Sequence, residues 1–264
     1  MAAETGAGRG RVRDSGGGAP RTPLRRPRPP AASPSRPEPA RRTAEPWRRP
    51  LKLHVLRVSE HAADARDGAV LSEEERARCA AFVREEDRDR YRVAHTALRR
   101  ELAGLLGTDP TAVPFTREAC PLCGGPHGRP AVPGNPVHFS LSHSGDLVVL
   151  AFDDAPVGVD VEAYPTAAVV AETASVLHPR ERAELGGLPA SHRPAAFARC
   201  WTRKEAYLKG TGTGLGEAPS VTYVGSLAVP AEVPGWTIGD VPVPDGYAAA
   251  VAVAVPRPAD PGTP

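Results

Sequence analysis

An alternation of valine with small or acidic residues between Val157 and Glu162 constrains the fold of this chain more than any other feature. The period of two predicts a β-strand whose valines face a core. Asp160 and Glu162 then project together from the opposite face, and Gly158 on that face is expected to leave open space beside them. Two carboxylates this close raise each other's pKa unless a cation sits between them. Hard oxygen ligands with room for water and phosphate suit Mg²⁺.

A second segment, residues 194–209, has the period of an α-helix. Trp201 and Lys204 fall on one stripe of this helix, and Glu205 and Lys209 lie together at its flank. Residues four apart are neighbours on a helix, so the heads of Glu205 and Lys209 can meet over one spot. Together with the pair Asp160 and Glu162, this carboxylate and this cation predict a site that binds a metal and phosphate. Taken singly, each feature also fits a solvated strand face or an ordinary surface ion pair.

The N-terminal region differs from the rest of the chain in composition. Residues 1–50 hold 12 Arg and 10 Pro but only 4 acidic residues, a net charge of +8, whereas the remainder carries 21 basic and 27 acidic groups, or −6. With almost no apolar residue before Trp47, the segment cannot bury enough surface to offset the entropy of ordering. Residues 1–47 are therefore predicted to be a disordered Arg/Pro-rich tail. A transit peptide is the alternative, although the proline density works against an amphipathic helix.

Composition also bears on partners and compartment. No segment approaches the roughly 20 apolar residues needed to span a membrane, and the tail lacks the apolar stretch of a secretory signal. We therefore expect a cytoplasmic protein with no membrane partner. An arginine-rich tail can neutralise nucleic-acid phosphates, but its prolines and its lack of aromatic stacking partners favour a protein with no nucleic-acid partner.

Local signals predict the order of elements in the first half of the body. Ser72 followed by Glu75 is a capping-box pattern that begins a helix, and Gly107 ends a longer one. Ser142–Asp146 is predicted to be a turn between two strands. In chain order the predictions are a strand over 51–58, a helix from Ser72, a helix over 87–106, a loop over 114–136, and strands over 137–141 and 147–152.

The second half shows a similar order. A helix is predicted to begin near His178, the helix over 194–209 follows, and strands are predicted over 221–224 and 247–255. Since each half reads strand, helix, long helix and strands, we predict an α+β fold of two similar lobes related by pseudo-two-fold symmetry. The predicted N-terminal lobe spans residues 48–154, the C-terminal lobe spans 155–256, and a loose C-terminus spans 257–264. Two lobes in one chain would need no second subunit to form a cleft, so a monomer is expected.

Three segments together carry a resemblance to a known family. Phe139–Ser144, Gly158–Glu162 and Trp201–Lys209 occur in an order and spacing similar to those of 4′-phosphopantetheinyl transferases of the larger, single-chain type named for the surfactin synthetase activator. The resemblance spans roughly residues 51–256 and excludes the tail. It implies the two-lobed fold with coenzyme A bound between the lobes. It also implies transfer of the phosphopantetheine arm of coenzyme A to a serine of an apo acyl or peptidyl carrier protein, with release of adenosine 3′,5′-bisphosphate.

The resemblance assigns roles to the residues of the strand and helix. Asp160, Glu162 and Glu205 would hold Mg²⁺ against the pyrophosphate. Glu205 would also deprotonate the carrier serine, directly or through water. Lys209 would neutralise or protonate the departing phosphate oxygen, and Lys204 would add positive charge nearby.

Further residues would bind coenzyme A by the same resemblance. His143 with Ser142 matches the position near the 3′-phosphate of the cofactor. Arg129, in Gly-Arg-Pro, stands where the family has Gly-Lys-Pro, and either cation binds phosphate with its own geometry. The basic residues toward the adenosine phosphate would be Arg78 and Arg90. The residue that aligns with an alternative base is Glu181.

The segment Cys120-Pro-Leu-Cys123 followed by His127 departs from the family pattern. It resembles half of a zinc knuckle, but the sequence offers no obvious second half, and a closed structural site needs four ligands. A turn-rich loop with reduced thiols and no Zn²⁺ is therefore the favoured interpretation.

Two other functions remain open at the level of sequence. A metal-dependent phosphohydrolase could use the same carboxylates but would need an activated water and further ligands. A non-catalytic binding module could be built on the Cys/His loop and the basic tail. The pathway that the carrier protein serves, whether polyketide, nonribosomal peptide or fatty acid, is not specified by these motifs.

Overall fold

The polypeptide alternates short strands with helices in a mixed α/β architecture. Its structure, a computed structural model, describes residues 51–65 and 68–255. The predicted tail at 1–47 and the predicted loose C-terminus at 257–264 lie outside these residues. The strands are β1 (Lys52–Arg57), β2 (Thr116–Arg117), β3 (Pro130–Ala131), β4 (His138–Ser144), β5 (Leu147–Asp153), β6 (Val157–Ala163), β7 (Trp236–Asp240) and β8 (Tyr247–Ala254). The α-helices are α1 (Val58–Ala65), α2 (Glu73–Ala80), α3 (Glu85–Leu106), α4 (Ala167–Thr173), α5 (Pro179–Gly187) and α6 (Arg193–Thr211).

The strands form two antiparallel sheets of three strands and one ladder of two. The first sheet has the order β1-β5-β4, with Val55 opposite Val149, and the second has the order β6-β8-β7, with Asp160 opposite Ala250. Strands β2 and β3 pair over only two residues each. Strands β4 and β6 therefore each lie at the edge of a three-stranded sheet.

Serine side chains connect the two edge strands β4 and β6. The Val159 N–H group donates to Ser140 Oγ at 3.0 Å, and the Ala163 N–H group donates to Ser144 Oγ at 3.2 Å. The serine hydroxyls thus accept hydrogen bonds from backbone N–H groups that would otherwise pair with a further strand. The first sheet and the second sheet are held side by side by this polar junction.

Apolar packing surrounds the junction. Helices α1 and α3 cover one face of the first sheet, where Val93 and Leu102 meet Val148 and Leu150. The other face of β5 packs against the valines of β6 and against β8, so every residue of β5 is buried. The valine face predicted for residues 157–161 is therefore confirmed.

Helix α6 lies directly on strand β6, and this corrects the open space expected beside Gly158. A Cβ atom at position 158 would stand 1.9 Å from the Ala206 carbonyl oxygen and 2.4 Å from the Gly210 nitrogen. Gly210 is equally constrained, because a Cβ there would stand 2.6 Å from the Trp236 ring. Both positions require glycine because the backbone packs closely against its neighbours there. At Gly158, helix α6 fills the space that a side chain would occupy.

The helix-end signals of the sequence are confirmed. The Glu75 N–H group donates to Ser72 Oγ at 3.2 Å, and the Ser72 N–H group donates to Glu75 Oε2 at 2.8 Å, which completes the capping box. Gly107 closes α3 in the left-handed region, at a φ of 65°. His178 caps α5 in a similar box with Glu181.

The predicted turn over 142–146 is wrong in extent. Ser142 and His143 belong to strand β4, and only Gly145 and Asp146 form the turn. The strand continues because Ser142 and Ser144 keep the alternation of Ser140 and find polar partners on β6.

The strand predicted over 221–224 does not form among the described residues. The N–H groups of Val224 and Gly225 donate to Glu181 Oε1, at 2.8 and 3.3 Å, and are therefore not available to a ladder. The third strand of the second sheet is instead β7, which sequence patterning missed because it is short and is preceded by Gly235. Helix α4 was also not predicted.

The described residues contain no helix with the length and apolarity needed to cross a membrane.

We expect the substitution Gly158→Ala to lower the free energy of unfolding by roughly 3 kcal/mol, the upper end of the range for overpacking, because the clash is with backbone. The matched control is Gly104→Ala in α3, where a Cβ meets no atom within 4 Å. That variant should gain about 0.5–1 kcal/mol from helix propensity. Urea unfolding of the two variants beside the wild type measures both. Wild-type stability of Gly158→Ala would contradict the close approach of α6.

Candidate active site

Three elements bring polar side chains together at the junction of the sheets. Strand β6 supplies Asp160 and Glu162, helix α6 supplies Glu205 and Lys209, and strand β4 supplies serine hydroxyls. The contact of α6 with Gly158 places the helix on the same face of β6 from which the carboxylates project. The carboxylates and the lysine predicted from sequence therefore do converge.

Asp160 is the most buried member of this group, with 3 % of its surface exposed. Its Oδ1 atom accepts from Lys209 Nζ at 2.6 Å and from Ser142 Oγ at 2.7 Å. Its Oδ2 atom is buried without a hydrogen-bond partner among the described residues. Desolvation raises the pKa of Asp160, although Lys209 and Ser142 oppose the shift. A buried carboxylate oxygen without a partner is costly unless a further cation or donor binds it.

The other two carboxylates respond to the charge of Asp160. Glu162 accepts from Ser144 Oγ at 3.0 Å, and desolvation followed by repulsion from Asp160 raises its pKa. Desolvation and repulsion from Asp160 raise the pKa of Glu205 as well. The three carboxylates therefore share one electrostatic environment in which their ionised forms are disfavoured.

Lys209 is the cation that faces these carboxylates. Besides Asp160, its Nζ atom donates to Ser142 Oγ at 3.1 Å and to the Val159 carbonyl at 3.3 Å. One lysine against three carboxylates leaves an excess of negative charge. Oxygen-only donors, a charge imbalance and the partnerless Asp160 Oδ2 match the requirements of Mg²⁺, so the residues present fit this metal.

A cavity of about 970 Å³ opens at Lys209, and the three carboxylates themselves do not line it. Its wall includes Ser140 of β4 and Lys209 of α6, and the C-terminal end of α6 borders it. Most of its charged lining is cationic, and its volume lies at the upper end of the range for small-molecule pockets. The cationic side chains of the lining are Arg78, Arg99, Arg117, Arg129 and Lys209.

The predicted coenzyme A ligands differ in how they are held. Arg78 lines the cavity and is exposed. Arg129 also lines it, but its guanidinium binds Glu118 through two hydrogen bonds, at 2.7 and 3.0 Å. The Arg90 side chain donates to the Gly145 carbonyl at 2.9 Å and to Asp87 at 2.7 Å. Arg90 and Arg129 are therefore anchored, whereas Arg78 faces the cavity from an exposed position.

His143 lies among cations at this end of the site. Although His143 is exposed, neighbouring protein atoms partly desolvate its ring, and this desolvation lowers its pKa. The charges of Arg90, Lys209 and His95 lower the pKa further. His143, Arg90 and Lys209 are thus close enough to act on one another, which favours an anion in their vicinity.

Lys204 and Glu181 pair with each other in the interior. Lys204 Nζ lies 2.7 Å from Glu181 Oε2 and donates to the Thr222 carbonyl at 2.7 Å, and both charged residues are buried. The structure does not bring either one to the carboxylates of β6. This corrects the expectation that Lys204 adds positive charge near the phosphate and that Glu181 is available as an alternative base. A sequestered ion pair cannot reach a substrate, and this pair instead attaches α5 to α6.

Sequence reasoning did not single out Ser140 and Ser144. Ser140 satisfies a backbone donor of β6, and Ser144 both satisfies another and donates to Glu162. The alternation of serine at positions 140, 142 and 144 could have indicated them, because every second residue of a strand shares one face. Glu118, which orients Arg129, carried no such local signal.

Cys120, Cys123 and His127 also come together, in the loop between β2 and β3. Their sulfur and nitrogen atoms all lie within 4.8 Å of one another, and Cys123 Sγ is 3.0 Å from His127 Nε2. Hydrogen bonds from the backbone N–H groups of Leu122 and Cys123 lower the pKa of Cys120. Cys120 and His127 line the cavity.

Comparison with known proteins agrees with this site. Residues 156–229, which include all three carboxylates and Lys209, match the model of the 4′-phosphopantetheinyl transferase superfamily. The chain is 34% identical over 215 residues to the 4′-phosphopantetheinyl transferase HetI of Nostoc sp., a match that covers 79% of this chain and 86% of that protein. The chain belongs to the 4′-phosphopantetheinyl transferase family. It is accordingly a transferase enzyme of this class.

Other 4′-phosphopantetheinyl transferases match shorter regions. The enzyme Sfp of Bacillus subtilis (strain 168) is 29% identical over 147 residues, which are 55% of this chain and 62% of that protein. The enzyme AcpT of Escherichia coli (strain K12) is 38% identical over 110 residues, which are 40% of this chain and 56% of that protein.

We expect Glu205→Gln to stabilise the metal-free transferase at neutral pH. The folded-state pKa of Glu205 is raised above its ordinary 4.5, so ionisation opposes folding, and wild-type stability falls as pH rises through the interval above 4.5. The glutamine variant lacks this fall. In the presence of a chelator, its unfolding temperature should exceed that of the wild type by about 2–4 °C near neutrality, the shift that roughly 1 kcal/mol produces. The difference should vanish below pH 4.5.

Thermal unfolding over this pH range, with chelator, measures the effect. A glutamine variant that is less stable than the wild type at neutral pH would contradict the electrostatic description of the site.

We expect Lys204→Met to lower the free energy of unfolding by about 3–5 kcal/mol, because the buried charge of Glu181 loses its partner. The double variant Lys204→Met/Glu181→Gln should recover a large part of this loss, since no unpaired charge remains. Urea unfolding of the two single variants and the double variant measures the coupling. Additive effects of the two substitutions would show that the pair does not act as described.

Proposed function

We propose that this transferase moves the 4′-phosphopantetheine arm of coenzyme A to a serine hydroxyl of an apo acyl or peptidyl carrier protein. The reaction would depend on Mg²⁺ and release adenosine 3′,5′-bisphosphate. The observation that carries the proposal is the Asp160 Oδ2 atom, which lies buried among three carboxylates with no hydrogen-bond partner in the described part of the chain. Lys209 joins Asp160 to a cavity with a cationic wall. Phosphoryl-type transfer calls for this combination of metal ligands and phosphate-binding cations.

Asp160, Glu162 and Glu205 are the residues that would hold Mg²⁺. When bound, the metal would neutralise charge on the pyrophosphate and on the leaving group. Support comes from the raised pKa values of these side chains, since a divalent cation removes the repulsion that raises them.

Glu205 is the proposed general base. Its raised pKa means that Glu205 accepts a proton more readily than an ordinary glutamate does. Glu205 is also only partly buried, unlike Asp160, so a serine hydroxyl or a water can reach it. It would take the proton from the carrier serine as the oxygen attacks the phosphorus atom.

Lys209 is proposed to serve the departing phosphate. Asp160, Ser142 and the Val159 carbonyl hold its ammonium group at the cavity wall. A cation held in this way can neutralise or protonate the leaving oxygen without first being ordered.

The proposed coenzyme A ligands are Arg78, Arg90, Arg129, Ser142 and His143. Arg78 is the best placed of the three arginines, because it is exposed in the cavity, whereas Arg90 and Arg129 are bound to carboxylates. Arg90 and Arg129 would add positive potential near the 3′-phosphate, and they would make fewer direct bonds to phosphate. Arg129 would also maintain the wall of the cavity.

We further propose that the body consists of two related α+β lobes, at residues 48–154 and 155–256, and that the enzyme acts as a cytoplasmic monomer. Support for the lobes is that each contains one three-stranded antiparallel sheet. No nucleic acid and no membrane are proposed as partners.

We expect the protein, incubated with coenzyme A, Mg²⁺ and an apo acyl or peptidyl carrier protein, to add the phosphopantetheine mass to the carrier. Glu205→Gln should lower the transfer rate by about 10²–10⁴-fold, the usual contribution of a general base. Glu172→Gln, an exposed glutamate of α4, is the matched control and should leave the rate unchanged. Intact-protein mass spectrometry measures the modification.

The outcome that would reject the proposal is unmodified carrier across both carrier classes. Consumption of coenzyme A without modification of any carrier would indicate a phosphohydrolase instead.

A further inference from the structure

The loop of residues 118–129, here called the Cys/His loop, is ordered without an apolar core. It is closed at its base by the β2–β3 ladder, where Arg117 pairs with Pro130. Within the loop only Cys120 and Gly128 are buried. A segment that buries so little apolar surface gains little from the hydrophobic effect, so another interaction must hold it together.

The backbone of the Cys/His loop folds back on itself to gather three side chains. The Cys120 N–H group donates to the Gly125 carbonyl at 2.7 Å, and the Gly124 N–H group donates to the Cys120 carbonyl at the same distance. Gly124 adopts the left-handed conformation, with a φ of 71°. These bonds make a tight turn that aims Cys120 and Cys123 toward His127.

The glycine at position 125 keeps the space between these side chains open. A Cβ atom there would stand 3.0 Å from His127 Nε2 and 3.3 Å from Cys123 Sγ. Any larger residue would therefore crowd the Cys123 sulfur atom and the His127 ring nitrogen. Tetrahedral zinc, with bonds of about 2.3 Å to sulfur and about 2.0–2.1 Å to nitrogen, needs ligand atoms roughly 3.5–3.8 Å apart. The observed limit of 4.8 Å and the 3.0 Å contact bracket this spacing.

We propose that Cys120, Cys123 and His127 bind one Zn²⁺ ion, with water at the fourth position. Thiolates are soft ligands and imidazole also suits zinc, so this set selects zinc over the magnesium that suits the carboxylates. On binding, each cysteine thiol releases its proton to solvent, and the two thiolate charges balance the charge of the ion. A three-ligand site with an open position needs no second half of a knuckle, and the structure thus favours a metal where the sequence favoured a metal-free loop.

The proposed zinc would stabilise one wall of the cavity. The Cys/His loop carries Arg129, which binds Glu118 of the same loop and donates to the Gly210 carbonyl of α6. Leu122 of the loop packs against Gly216, just beyond α6. The metal would therefore act on the binding of the ligand in the cavity through the position of Arg129, whereas binding of the metal itself does not depend on the reaction proposed for the carboxylates.

The test begins with the zinc content of the full-length, untagged transferase, purified under reducing conditions without chelator. Elemental analysis should find one zinc per chain. Cys123→Ser and His127→Ala, both at exposed positions, should each lose more than the roughly 10–100-fold in zinc affinity that even outer-shell substitutions cost. His192→Ala, at another exposed histidine, is the matched control and should retain the metal.

Cobalt substitution identifies the ligands independently of variant folding. The wild-type protein loaded with Co²⁺ should show a thiolate-to-cobalt charge-transfer band, which carboxylate ligands cannot produce. The band should persist in Glu205→Gln and disappear in Cys123→Ser. Three results would overturn the proposal: no zinc bound after addition of one equivalent, zinc retained by the Cys123→Ser/His127→Ala double variant, or a Cys120–Cys123 disulfide in the protein purified under reducing conditions.

Discussion

The contact between helix α6 and strand β6 at Gly158 is the constraint on which the rest of the structure depends. Because position 158 carries no side chain, the Ala206 carbonyl and the Gly210 nitrogen lie directly against the strand. This contact determines the distance and rotation of the helix, and so allows Lys209 to reach Asp160 at 2.6 Å. Glu205, one turn earlier on the helix, is brought to the same side. A close backbone contact therefore positions the charged groups of the site.

The same contact creates an electrostatic imbalance that packing alone does not relieve. Asp160 is almost fully buried. Desolvation is the larger cause of the raised pKa values of Glu162 and Glu205, and repulsion from Asp160 is the second cause. Lys209 and the serine hydroxyls of β4 offset part of this cost. Groups that disfavour their own ionised states in the folded protein are typical of functional sites, where a ligand supplies the missing charge. The family membership and the proposed metal both agree with this description.

The two lysines of α6 show how one helix serves two purposes. Lys204 and Lys209 are five residues apart, which places them about 140° apart around the helix axis. Lys209 faces the carboxylates, whereas Lys204 points into the interior and pairs with Glu181. The buried pair also explains the missing strand over 221–224, since Glu181 takes backbone donors that a ladder would need.

Local periodicity by itself determined the strand over 157–162, the long helix over 194–209 and the capping box at Ser72, because each depends on residues close in sequence. It also determined that Asp160 and Glu162 share a face and that Glu205 accompanies Lys209. Only the tertiary structure decided how far apart these two pairs lie, which cations are already bound to carboxylates, and that Gly158 accommodates a helix where open space was expected. Those outcomes depend on partners tens of residues away, and no local pattern encodes the distance between two packed backbones.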